Sequence, residues 1–108
     1  MTEITLNGKT YQMDWTVLSM AYLQNVEKRA SFAELGNLTL AAVMIAAALR
    51  GGDWTFDKDA DWVLSQVGHD LKKLNELSTI ANNLLNEFNH LNAVESGGNV
   101  EAPEGAKN

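Results

Sequence analysis

Apolar and polar residues alternate at the start of the chain. Ile4, Leu6, Tyr11 and Met13 are each flanked by polar positions, and Asn7-Gly8 interrupts the run. Alternation with period two marks half-buried strands. Asn-Gly marks a two-residue type I′ turn, because both of its residues accept the positive φ that turn needs. The pattern predicts a hairpin of Ile4-Thr5-Leu6 with Lys9–Met13, pairing Leu6 with Lys9, Thr5 with Thr10 and Ile4 with Tyr11. Ile4, Leu6, Tyr11 and Met13 then share one face. Two strands alone are marginal in water, so this face must pack on a helix or on another subunit.

From Asp14 onward the spacing becomes helical. Trp15, Leu18, Tyr22 and Val26 predict a first helix over about Trp15–Arg29 with these residues facing the core and Asp14 as N-cap. Lys28 and Arg29 suit the negative end of its dipole. Ser31-Phe32-Ala33-Glu34 reads as a capping box opening a short turn of helix that ends near Gly36. Asn37 then caps a third helix, Leu38–Arg50, apolar on nearly every side and therefore central. Gly51-Gly52 is the expected stop. Thr55 or Asp57 caps the next helix, which carries Trp62, Val63 and Val67 inward and breaks at Gly68. A long helix follows over about His69–Val94. Its apolar stripe is Leu74, Leu77, Ala81, Leu84, Phe88 and Leu91, widened by Leu71, Ile80 and Leu85. A two-stranded coiled coil has a narrower seam and a longer run, so the width predicts packing against two neighbours. Six asparagines, Asn75, Asn82, Asn83, Asn86, Asn89 and Asn92, are mediocre helix formers. Contacts with other elements, or a plain solvated face, account for them.

The fold class expected is mainly α, or α+β by strict count. An N-terminal β-hairpin precedes four to five helices in one domain over residues 1–94. Residues 95–108 hold three glycines, the chain's only proline and almost nothing apolar, and read as a disordered tail or linker. No internal repeat is visible.

Composition narrows the function classes. The chain has 108 residues, enough for one ordinary core. It contains no cysteine, which removes disulfides, thiolate metal sites and cysteine nucleophiles. Eight basic against fourteen acidic residues leave a net charge of −6, which repels nucleic acid and anionic membranes. The acidic start, Met1-Thr2-Glu3-Ile4, does not read as a signal peptide. The run from Leu38 to Leu49 is short for a membrane span, which needs about 20 residues. Asn37-Leu38-Thr39 matches a glycosylation sequon that has no meaning without secretion.

Three short patterns invite a chemical reading and fail at named positions. Gly8-Lys9-Thr10 lacks the earlier glycine of a phosphate loop, where Glu3 stands, and precedes a strand instead of a helix. Asp57, Asp59 and Asp61 have calcium-loop spacing. Trp62 stands where that loop needs glycine, and Gly68 where it needs glutamate. Glu87 and His90 have the spacing of a helical metal pair but lack the second copy that a di-iron site requires. His69 sits at an expected helix end. No Ser/His/Asp set is suggested. No catalytic residue, cofactor or metal is expected, and the chain is read as no enzyme.

Protein binding is the reading left. Trp15 and Trp62 suit a core, whereas Trp54 lies in a connection, where an exposed tryptophan anchors an interface. On the long helix, Ile80, Leu84, Phe88 and Leu91 serve either the chain's own core or another chain, because a short body leaves the far end uncovered. Trp54, Ile80, Leu84, Phe88 and Leu91 are therefore the candidate protein-binding residues, and self-association is an expectation of the same stripe.

The layout resembles the small tail assembly chaperones of long-tailed bacteriophages and prophages. The resemblance covers about residues 3–90. It rests on the opening hairpin Ile4–Tyr11, the helix after Asp14, and the Ser31-Phe32-Ala33-Glu34-Leu35 turn. The apolar helix Leu40–Leu49 and the Trp54-Thr55 lead into the acidic helix after Asp57 also match. The resemblance implies a protein that binds the tape-measure protein, keeps it soluble and helps recruit tail-tube subunits. It implies action in the cytoplasm of the infected or lysogenic host and absence from the mature virion. It also implies a longer form made by ribosomal frameshift, for which Lys107-Asn108 is a suitable slippery site and the tail a linker. No binding residues are carried over from the family. A small virion connector or a regulatory protein-binding subunit is the competing expectation.

Overall fold

A computed structural model describes residues 1–95. Strands β1 (Thr2–Leu6) and β2 (Lys9–Met13) form an antiparallel hairpin in the register expected from the turn: Leu6 faces Lys9, Thr5 faces Thr10 and Ile4 faces Tyr11. Asn7 and Gly8 take φ of 51° and 82°, the left-handed pair a type I′ turn demands. Ile4, Leu6 and Met13 are buried and Tyr11 is half-buried, so the apolar face packs on this chain's own helices.

Helix α1 (Val17–Arg29) starts two residues later than the spacing predicted, and its N-cap is Thr16. Asp14 is occupied elsewhere. Its N–H donates to the Ala48 carbonyl at 3.0 Å, and its carboxylate accepts the Trp15 N–H at 2.8 Å. The Thr16 N–H donates instead to Ser19 Oγ at 3.1 Å. Ser19 is fully buried, while Leu18, expected in the core, is half exposed. The inward side of α1 is Ser19, Tyr22, Leu23 and Val26. A small residue is needed where this helix crosses the next one.

Ser31 opens a 3₁₀ turn (Phe32–Glu34), its hydroxyl accepting the Ala33 N–H at 3.2 Å. The expected short turn of helix thus forms as a 3₁₀ turn, with the Ser31 hydroxyl on the Ala33 N–H and not on the Glu34 N–H that a capping box requires. Helix α2 (Asn37–Gly52) follows, with Gly36 and not Asn37 as N-cap. Ala42, Val43 and the run Ile45–Leu49 are buried on all sides. The helix touches α1, β2 and the two later helices, which makes it the central element expected.

The predicted stop falls at the second glycine of the pair and not at Arg50. The helix runs through Gly51 and Gly52, and the Asp53 N–H closes it on the Leu49 carbonyl at 3.0 Å. A Cβ on Gly51 would overlap the Asp14 carbonyl and Ser19 Oγ, and one on Gly52 would overlap the Gln12 carbonyl. Both glycines serve close approach of backbone to backbone, not termination.

Helix α3 (Ala60–Val67) is capped by Asp59, whose carboxylate accepts the Trp62 N–H at 3.1 Å, so neither Thr55 nor Asp57 is the cap. Gly68 ends it with φ of 57°. Helix α4 (Leu71–Glu95) begins two residues beyond His69, with Asp70 accepting the Lys73 N–H at 3.0 Å. Leu74, Leu77, Ala81 and Leu84 are buried against the body. Four helices and one 3₁₀ turn therefore follow the hairpin. Of the expected tail, Glu95 belongs to α4, and the rest lies outside the described residues. Among the described residues no helix is long and apolar enough to cross a membrane.

Candidate protein-binding surface

The connection between α2 and α3 is held by Arg50. Its guanidinium donates to the Phe56 carbonyl at 3.3 Å and to the Lys58 carbonyl at 2.9 Å. The same group stacks over the Tyr22 ring, 4.4 Å from the centroid. One planar cation thus ties the connection to α1 through three contacts, which a lysine does not reproduce.

Within this connection, successive aromatics part. The Asp53 carboxylate accepts the Thr55 hydroxyl at 2.7 Å and the Thr55 N–H at 3.0 Å. These bonds, the hydroxyl first and then the amide, hold the Asp53 carboxyl below its ordinary pKa. The tight turn places Trp54 at its apex, 81% exposed. Phe56 turns inward to a cluster of edge-to-face rings, 5.4 Å from Trp62 and 6.3 Å from Tyr11, with Tyr11 5.7 Å from Trp62.

Across from Trp54 lies the outer side of α1. Leu18 is 50% exposed and its neighbour Val17 is 73% exposed. Leu18, Ala21, Tyr22, Asn25, Arg50 and Trp54 line one shallow groove of about 190 Å³. Its floor is the Tyr22–Arg50 stack. Burial raises the Tyr22 phenol above its ordinary pKa; the nearby Arg50 charge opposes this without cancelling it. The phenol is neutral and two of the guanidinium nitrogens have bonds to carbonyls, so the groove is of mixed polarity, with Leu18, Ala21 and Trp54 beside a cation set in its floor.

The candidate residues of α4 are placed otherwise. Leu84 is buried, and Ile80 and Phe88 are half-buried against the core of their own chain. Only Leu91 stands out, 61% exposed, in a separate groove with Asn86, Glu87 and His90. The five residues singled out from the sequence therefore do not form one site. Trp54 and Leu91 line two grooves with no residue in common.

Leu18 is the residue that sequence reasoning missed. A signal was present. Val17, Leu18 and Ala21 form a second apolar stripe on α1, displaced around the helix from Tyr22, Leu23 and Val26. One short helix with two stripes buries one and presents the other.

The remaining patterns are absorbed by structure. Gly8-Lys9-Thr10 is turn and strand, and Asp59 is a helix cap. Glu87 and His90 lie exposed on α4. Among the described residues no three His, Asp or Glu side chains gather as metal ligands. No protein-family model, no curated protein and no solved structure matches the chain.

Proposed function

We propose that this chain is a protein-binding subunit with no catalysis of its own, acting as a tail assembly chaperone of a long-tailed bacteriophage or prophage. It binds the tape-measure protein, keeps it soluble and helps bring tail-tube subunits to it. It acts in the cytoplasm of the infected or lysogenic bacterium and leaves before the virion matures. The observation that carries this reading is the exposed Trp54 facing the exposed Leu18 across one groove. A tryptophan held out by a built turn is the residue type that anchors interfaces, and a holdase needs apolar surface of this kind on a soluble, acidic body. The layout of hairpin and helices on which the family resemblance rests agrees with the fold.

Co-expression with the tape-measure protein of the same phage or prophage tests the reading. The tape-measure protein should move into the soluble fraction with the natural chain, and less so with Trp54→Ala. A tape-measure protein that stays equally insoluble with and without this chain overturns it.

A further inference from the structure

The two edges of the hairpin are treated differently by the rest of the fold. In a two-residue hairpin the residues flanking the turn form a hydrogen-bonded pair, and the pairs then alternate. Leu6–Lys9, Ile4–Tyr11 and Thr2–Met13 are thus the bonded pairs of this register. The backbone N–H and C=O groups of Glu3 and Thr5 point away from β2, and those of Thr10 and Gln12 point away from β1. The outer edge of β2 is covered by α2: the Gln12 carbonyl lies against Gly52, and just past the strand the Asp14 N–H binds the Ala48 carbonyl. The outer edge of β1 is open. Among the described residues no backbone group bonds to Glu3 or Thr5 from that side. An open groove of about 320 Å³ borders the edge, lined by Thr5 and Leu6 on the strand side and by Val67, Asp70 and Lys73 on the helix side.

An open edge is a template for another strand. We propose that it is filled by a second copy of this chain, β1 pairing antiparallel with β1 about a two-fold axis through Ile4. Outward groups must meet outward groups, which leaves three registers. Glu3 opposite Glu3 sets two carboxylates face to face, which disfavours the pair. Thr5 opposite Thr5 sets Glu3 against Asn7, whose left-handed backbone, φ 51°, cannot continue a strand. Glu3 opposite Thr5 uses both outward residues of both copies, and each such pair exchanges two N–H···O bonds. It places carboxylate beside hydroxyl and sets the two Ile4 positions at the axis, each side chain held by its own body. An isologous contact needs a self-complementary patch, and this strand is one. The product is a four-stranded sheet, β2–β1–β1–β2, whose inner face carries Ile4, Leu6, Tyr11 and Met13 of both copies over both helical bodies. This inference is independent of the client-binding reading, because it uses no residue of the Trp54 groove.

Sedimentation of the full chain over a range of concentrations tests it, with circular dichroism as the check on folding. The natural chain should be a concentration-dependent dimer. Thr5→Pro removes a donor that points outward and leaves the bonds to β2 intact. It should weaken the dimer by roughly 30-fold, two bonds being lost per dimer, while the helical spectrum is kept. Thr5→Lys sets a cation opposite Glu3 of the other copy and should tighten the dimer, and Thr5→Glu should loosen it. A chain that stays monomeric at all concentrations overturns the proposal. So does a dimer indifferent to all three substitutions while the spectrum is unchanged.

Discussion

Gly52 of α2 lies with its Cα against the main-chain carbonyl of Gln12 in β2, so close that no Cβ fits between them. Gly51 stands in the same relation to Asp14 and Ser19. The hairpin is docked on the central helix through these two bare positions. In an exposed helix, Gly→Ala is stabilising by about 1 kcal/mol. Here the sign reverses. Gly52→Ala should lower stability by about 2 kcal/mol or more, since backbone cannot yield as a flexible side chain does. Urea unfolding measures this, and a variant as stable as the natural chain would show that the hairpin does not dock this way.

Two of the three tryptophans, Trp54 and Trp62, should separate cleanly. Trp54→Ala, at an exposed apex, should change unfolding free energy by less than about 0.5 kcal/mol. Trp62→Ala removes the ring that meets both Phe56 and Tyr11 and should cost about 2–4 kcal/mol. Fluorescence should add to this: the emission lost in Trp54→Ala is the red-shifted, quencher-accessible component.

Arg50→Lys keeps the charge and loses the planar fork. The bonds to the Phe56 and Lys58 carbonyls and the stack on Tyr22 cannot all survive it. A loss of about 1–2 kcal/mol is expected, with amide exchange quickening across residues 53–59 before it does elsewhere. Uniform exchange across the molecule would contradict the role given to this side chain.

On α4, Leu84 and Leu91 belong to the same sequence stripe but should behave oppositely. Leu84→Ala opens a cavity in the core and should cost about 2–4 kcal/mol. Leu91→Ala, on an exposed side chain, should leave stability within about 0.5 kcal/mol. Equal effects would mean that the far end of α4 is covered.

Tyr22 predicts an alkaline limb. Its folded pKa lies above the ordinary 10.0, chiefly through burial. The folded state thus holds the proton more tightly than the unfolded state. The stabilisation is complete below pH 10 and is lost as pH rises through the folded value. Phenol absorbance should show one tyrosine ionising late, and Tyr22→Phe should flatten the decline in stability above pH 10.

Much of the fold was legible because its signals are local. Asn7-Gly8 specifies a turn, the turn specifies a register, and the register places Ile4, Leu6 and Met13 on the buried face. Leu74, Leu77, Ala81 and Leu84 repeat at helical spacing and are buried as that spacing requires. The failures share one cause. Asp14 was a good cap by type, yet its carboxylate takes the adjacent Trp15 N–H while its own N–H is held by Ala48, far along the chain. Gly51-Gly52 had the chemistry of a stop, and became helix because the hairpin had to approach. Leu18 fitted the core stripe, and was displaced by Ser19 where α1 meets α2.

The candidate surface follows the same division. That Trp54 sits between elements, outside any periodic stripe, is a property of the sequence alone. That it faces Leu18 across a groove floored by Tyr22 and Arg50 is a property of the packed molecule. The sequence by itself determined the elements, the hairpin register and the apolar faces, since each depends on residues a few positions apart. Only the tertiary structure decided which apolar residues remain uncovered, where backbones touch and which strand edge stays open. Those outcomes depend on contacts between distant segments, and no local pattern encodes which of two equally apolar stripes will meet a neighbour first.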